Sequence, residues 1–302
     1  MSMMWILAVM GLVGIYAPVL TEMARIWWTH PYAGHGMFVP LFSAFLLWVD
    51  RDRLRAVTGQ RDPTGMLVIL LGLGVLWLGG WAESLLVQGL SVVVAVAGVV
   101  LWGFGARCLR RAAFPVGFLL FMVPLPQLVV DAVTLDLQLF AAGFAGGALG
   151  LLDIPFYQTG VFIELPTITL DVAEVCNGLR FLMALLVLTL AFAQVSQRSL
   201  PRKLVLVASA IPIAILANAV RVATIAAAVH YIGPQVARGV IHHSIGKAVW
   251  ALTLIPLVAL GLILRRGGGG PGARSASGVG LWLQRLVRWP AVRRGRLGRS
   301  QR

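Results

Sequence analysis

The chain has 302 residues, 59% of them hydrophobic and 12% charged, with a mean hydropathy of +0.88. A soluble globular domain needs a polar surface that this composition does not supply, so the sequence predicts an all-α polytopic membrane protein. The formal charge of +14 does not indicate nucleic acid, because the arginines cluster between apolar runs and in the tail, where they read as cytoplasmic anchors.

A crossing helix needs roughly 20 mostly apolar residues. Eight runs meet that need, at 3–21, 35–50, 65–82, 85–105, 112–131, 176–196, 204–230 and 248–264. The first, Met3 to Leu20, has no basic flank and no small-residue cleavage site, and is expected to be a retained span. Arg51, Arg53, Arg55 and Arg61 follow the second run, and Arg107, Arg110 and Arg111 follow the fourth. Arg198, Arg202 and Lys203 follow the sixth, and ten arginines lie beyond Leu264. Threading eight helices with both termini in the cytoplasm puts these twenty of the 25 Lys and Arg residues on one side. The other five, Arg25, Arg180, Arg221, Arg238 and Lys247, fall in outer loops or towards outer helix ends.

The stretch 132–152 is apolar too, but a ninth crossing there would carry Arg198, Arg202 and Lys203 outside. It is therefore expected to be an interfacial or re-entrant helix, its Gly and Ala suited to packing on other helices. Thr167 to Val172 alternates polar and apolar residues, which predicts a strand or hairpin on the outer face. Residues 265–302 form a separate Gly- and Arg-rich tail, expected to lie on anionic cytoplasmic lipids, and residues 1–264 form the embedded domain.

Ionisable side chains in or near lipid are costly and mark functional sites by default. Cys176, in V-A-E-V-C-N-G-L-R, is expected at the outer start of the sixth helix. Arg221, in A-N-A-V-R-V, falls in the outer half of the seventh, and His242, in V-I-H-H-S-I-G, falls just before or within the first turn of the eighth. All three thus converge on the outer face. A helix N-terminus, a cation or an imidazolium lowers a thiol pKa, which suits Cys176 as nucleophile. His242 fits a base that becomes an acid toward a leaving amine. Arg221 stays charged and fits an electrostatic role toward the thiolate, an oxyanion or a substrate carboxylate.

All eleven acidic residues precede Cys176, with Asp171 and Glu174 nearest, so Cys-Arg-His is simpler than Cys-His-Asp. Arg180, four residues after Cys176, shares its helix face and supports the site or binds lipid. His243 rivals His242 for the imidazole role. Cys108, beside cytoplasmic arginines, reads as packing, and two cysteines on opposite sides form no disulfide. The five scattered histidines predict no metal, and nothing in the sequence predicts a cofactor.

From about residue 31 to 255 the chain resembles the exosortase/archaeosortase family of polytopic membrane cysteine enzymes. Four stretches carry the resemblance: P-Y-A-G-H-G-M-F-V-P-L-F-S-A-F-L-L-W at 31–48, F-M-V-P-L-P-Q at 121–127, V-A-E-V-C-N-G-L-R at 172–180, and N-A-V-R at 218–221 with H-H-S-I-G at 242–246. It implies that Cys176 is the nucleophile, that Arg221 and His242 complete the site, and that Asn177 and Asn218 stand in supporting motif positions. Asn177 replaces the commoner serine, and the spacing to Gly246 favours His242 over His243. The implied substrates are secreted proteins with a C-terminal sorting signal of PEP-CTERM type (a short motif, a transmembrane helix and a basic cluster). The implied reaction is cleavage with transfer to an acceptor, at the outer face of the inner membrane. The alternatives from other classes are a permease or a scaffold protein of an extracellular polysaccharide export system. The nearly non-polar runs 65–82 and 85–105 speak against a permease.

Overall fold

The computed structural model describes residues 3–59, 61–172 and 178–266. Glu174, Cys176, Asn177 and the tail 267–302 lie outside the described residues.

The chain is mostly helical, and the apolar runs set its elements. In order these are α1 (Met3–Thr29), α2 (Phe38–Val49, entered through the 3-10 turn Gly34–Met37), α3 (Arg51–Val57), α4 (Thr64–Trp81) and α5 (Leu85–Phe104). Then come α6 (Ala106–Arg111), α7 (Ala113–Phe118, running into the 3-10 turn Leu119–Met122) and α8 (Gln127–Leu151). The strands β1 (Tyr157–Thr159), β2 (Phe162–Leu165) and β3 (Ile168–Asp171) precede α9 (Gly178–Ser196), α10 (Leu200–Ile232) and α11 (Gly239–Arg266). Among the described residues, seven helices are long and apolar enough to cross a membrane: those within α1, α4, α5, α8, α9, α10 and α11. Large apolar side chains such as Trp77, Leu71, Leu204 and Ile255 stand exposed on them, as lipid-facing surfaces require.

The expected crossing over 112–131 is not one helix. It consists of α7, a 3-10 turn and an extended link at Val123-Pro124-Leu125-Pro126, after which α8 begins. Two prolines in three residues explain the break. Proline has no N–H to continue the ladder, and it pushes the residue before it out of the helical region. Val123 accordingly has φ −76° and ψ 122°. The stretch 132–152, expected to be interfacial or re-entrant, is the greater part of the continuous 25-residue helix α8.

Two compact units emerge. One comprises the chain up to Ala24 and Gly36–Val123. Its centre is the antiparallel α4–α5 pair, where α4 places Gly65, Gly72 and Gly79 seven residues apart along one seam. A Cβ at Gly72 would lie 3.1 Å from the Ala95 backbone N, one at Gly79 2.8 Å from that of Gln88, and one at Gly65 would collide with the Trp102 backbone. Small residues let helix axes approach where lipid offers no hydrophobic driving force. At one end of this unit Asp50 pairs with Arg111 at 3.0 Å and Arg53 at 3.5 Å. Cys108 is buried in α6, where desolvation pushes its thiol up and keeps it inert.

The other unit comprises Arg25–His35 and the described chain from Pro124 onward. Its strands form an antiparallel meander in the order β1-β2-β3. Thr159 pairs with Phe162 across the turn Gly160-Val161, where Gly160 takes φ +59°, and Leu165 pairs with Ile168. Ile163, Leu165 and Leu170 turn inward onto a core shared with Ala141, Ala142, Ala145 and Leu149 of α8 and Val222, Ile225, Ala226 and Val229 of α10. β3 and Val172 fall where the alternation at 167–172 predicts a strand, whereas β1 and β2 were not anticipated. A second core joins α9, α10 and α11 through Leu185, Leu206, Ala210 and Leu257.

Candidate functional site

The site forms where α8, α9, α10 and α11 of this second unit meet. On α10, Asn218 and Arg221 are three residues apart and share a face. Asn218 is 3% exposed and Arg221 is half-buried. Facing them is the start of α11, which Gly239 opens in the left-handed conformation at φ +83°. α11 begins nine residues earlier than the apolar run at 248 indicates, so His242 sits in its first turn.

The Nη2 of Arg221 donates to Nε2 of His242 at 3.1 Å. A guanidinium only donates, so Nε2 is the acceptor and the imidazole proton resides on Nδ1. That Nδ1 is buried and has no hydrogen-bond partner among the described residues. Asp171 therefore does not orient this histidine through a hydrogen bond. One turn further along α11, Gly246 faces the same arginine: a Cβ there would lie 3.2 Å from its Cζ, Nε and Nη2. The guanidinium thus lies over bare helix backbone at Gly246 and reaches His242 one turn away. His243 is exposed, and its Nδ1 donates to the Gly239 carbonyl at 2.7 Å. Adjacent positions on a helix point about 100° apart, so only His242 faces α10.

Asn218 meets the start of α9. A Cβ at Gly178 would lie 3.1 Å from Asn218 Nδ2 and 3.4 Å from Leu137 Cβ of α8. The carboxamide Oδ1 is buried without a partner among the described residues, as is Thr134 Oγ1, one turn before Leu137. Arg180 stands exposed on α9. The geometry therefore unites Asn218, Arg221 and His242, holds Gly178 against them, and leaves Arg180 and His243 outward. Cys176, two residues before Gly178 in sequence, lies outside the described residues together with Glu174 and Asn177.

A family model described as Transmembrane exosortase (Exosortase_EpsH) matches residues 27–259. The chain belongs to the transmembrane exosortase family. No curated protein and no solved structure matches it. The family match takes in every residue of the site and stops before the basic tail.

In this exosortase the glycines within the motifs gain a physical reading. In C-N-G, Gly178 admits Asn218; in H-x-x-x-G, Gly246 admits the Arg221 side chain. Sequence reasoning used Gly246 only to choose between histidines, and it missed Gly178, Leu137 and Thr134 altogether. The signal for Gly246 was its spacing of one helical turn from His242, and that for Gly178 was its place two residues after Cys176. Thr134 and Leu137 carried no signal, because their place is set by the packing of α8.

Proposed function

We propose that this exosortase is a membrane-embedded cysteine peptidase or transpeptidase. It cleaves the C-terminal sorting signal of secreted proteins at the outer face of the inner membrane and passes the acyl group to an acceptor. The observation that carries this reading is the 3.1 Å contact between Arg221 and His242, on the helix face where Asn218 meets Gly178. Two peptide links separate Gly178 from Cys176, a reach of at most about 7 Å. Val172, four residues before Cys176 in sequence, is buried in the core that α8 and α10 share with the strands.

The chemistry follows from the Arg–His pair. His242 takes the thiol proton at Nε2 only when Arg221 releases that atom. The freed guanidinium then has an anion to meet, first the thiolate and then the oxyanion of the tetrahedral intermediate. The imidazolium formed in this exchange gives a proton to the leaving amine, and a thioester to Cys176 remains for the acceptor to attack. Arginine and histidine therefore exchange partners, and no acid is needed to orient the imidazole.

The same reading sets the topology. With the basic clusters all cytoplasmic, the chain from Arg111 to Arg198 crosses an even number of times. Since α9 is one crossing, 113–151 makes one more, interrupted at Pro124 and Pro126. Together with the crossings at α1, α2, α4, α5, α10 and α11 this gives eight, with both termini inside and the tail arginines on the anionic leaflet.

The test compares the C-termini of secreted proteins in cells carrying the wild type, Cys176→Ala, Arg221→Ala or His242→Ala. Each variant is expected to insert normally and to accumulate uncleaved, membrane-anchored precursors. Normal maturation in the Cys176→Ala cells would sink the proposal. A membrane-impermeant maleimide, applied from outside, is expected to label Cys176 and not Cys108, and the reverse pattern would invert the topology.

A further inference from the structure

Buried polar atoms in native proteins almost always have partners, and an unsatisfied one demands an explanation, most of all where water is scarce. At this site Asn218 is 3% exposed, its amino group fills the space a Cβ at Gly178 would take, and its Oδ1 has no donor among the described residues. It stands one turn from Arg221 on the same face, with Cβ atoms about 5–6 Å apart by helix geometry. The helix fixes the separation of the Cβ atoms, and burial restrains the carboxamide from swinging away as a surface side chain would. A buried side-chain oxygen held this way is an acceptor awaiting an N–H.

We propose that Asn218 is a substrate-binding residue whose Oδ1 accepts the main-chain N–H of the residue whose carbonyl is attacked. The inference rests on the peptidase reading above and deepens it. If Arg221 attends the oxyanion of that carbonyl, the N–H of the same residue lies two bonds from the reacting carbon. A second fixed group one helix turn away is placed to meet it. Holding both groups fixes the N–Cα–C segment of that residue along the α10 face, which is how positioning residues supply rate. The interaction reads backbone and not side chain, so it serves any sorting motif with an N–H at that residue and rejects one whose nitrogen is alkylated.

The test uses the full-length protein in detergent and two peptidyl chloromethyl ketones that differ only by N-methylation of the amide next to the reactive ketone. Each forms a thioether at Cys176 with loss of chloride, followed by intact mass. Methyl methanethiosulfonate, which has no N–H, reports the thiol alone. Wild type is expected to react about tenfold faster with the N–H reagent than with its N-methyl twin. Asn218→Leu keeps the volume and removes the acceptor, and is expected to bring that ratio to about one. Asn218→Asp keeps an acceptor and is expected to retain the discrimination. In Asn218→Leu methyl methanethiosulfonate is expected to react at the wild-type rate. An unchanged ratio in Asn218→Leu, or equal slowing of all three reagents, overturns the Asn218 role and leaves the peptidase reading standing. Failure of every reagent to modify Cys176 in the wild type instead overturns the peptidase reading, and this inference with it.

Discussion

The two units of this exosortase use glycine for opposite ends. In the α4–α5 pair, Gly65, Gly72 and Gly79 admit the facing helix, and the polar side chain at that seam, Gln88, is satisfied by donating to the Gly79 carbonyl at 3.2 Å. Around α10, Gly178 and Gly246 admit polar side chains, a carboxamide and a guanidinium, and the seam they make holds Asn218 Oδ1 and His242 Nδ1, both buried without partners among the described residues. The same missing Cβ yields packing in one place and a seat for chemistry in the other. Whether a glycine is structural or functional is therefore decided by what fills its space.

Substitutions at these glycines break the comparison along its two sides. The largest effect on activity is expected for Gly246→Leu. The new side chain displaces the Arg221 guanidinium from His242, and sorting-signal cleavage is expected to fall by 100-fold or more, on the order of losing an oxyanion donor. Helix content and thermal stability are expected to stay near those of the wild type, since leucine is a better helix former than glycine. Retained cleavage would mean that the Arg–His contact is dispensable. Gly65→Ala is expected to do the reverse. Its Cβ meets the Trp102 backbone and not a flexible tip, so the variant loses about 1–3 kcal/mol by overpacking, read as a lowered melting temperature in detergent, while each folded molecule still cleaves. The smallest effect is expected for Cys108→Ala. The thiol is buried and held protonated, so processing is unchanged and the loss of stability is under about 1.5 kcal/mol. A processing defect there would show that the first unit carries chemistry after all.

Hydropathy located most of the helices to within a few residues because each apolar run is bounded by charge, glycine or proline. It erred at 112–131, where the composition is right and the backbone is not. A window average counts methyl groups, whereas Pro124 and Pro126 act through a missing N–H and a steric clash. It also began α11 nine residues too late, because Gly239 to Lys247 is polar enough to pass for a loop while still forming helical hydrogen bonds. At the site, Arg221 and His242 were legible because charge in an apolar chain is costly and needs a reason. The choice between His242 and His243 turned on which face of α11 meets α10, and the motif spacing pointed the same way as the geometry. The contributions of α8 were not legible, since nothing local to Leu137 or Thr134 distinguishes them from lipid-facing neighbours.

The length of α10 has a consequence of its own. At 33 residues it extends about 50 Å, against a hydrocarbon layer of about 30 Å. Arg221 lies 21 residues from its first residue, Leu200, which is about 32 Å along the axis. On the proposed topology that distance is a ruler laid beside any anchored substrate. An anchor helix that starts at the same cytoplasmic level runs out of hydrocarbon just as it draws level with the guanidinium. There its last backbone groups lose their helical partners and the chain is free to open into the extended form that a peptidase grips. Anchors shortened or lengthened by a helical turn would present the wrong bond, so selectivity for sorting signals would include a measurement of thickness as well as a reading of sequence.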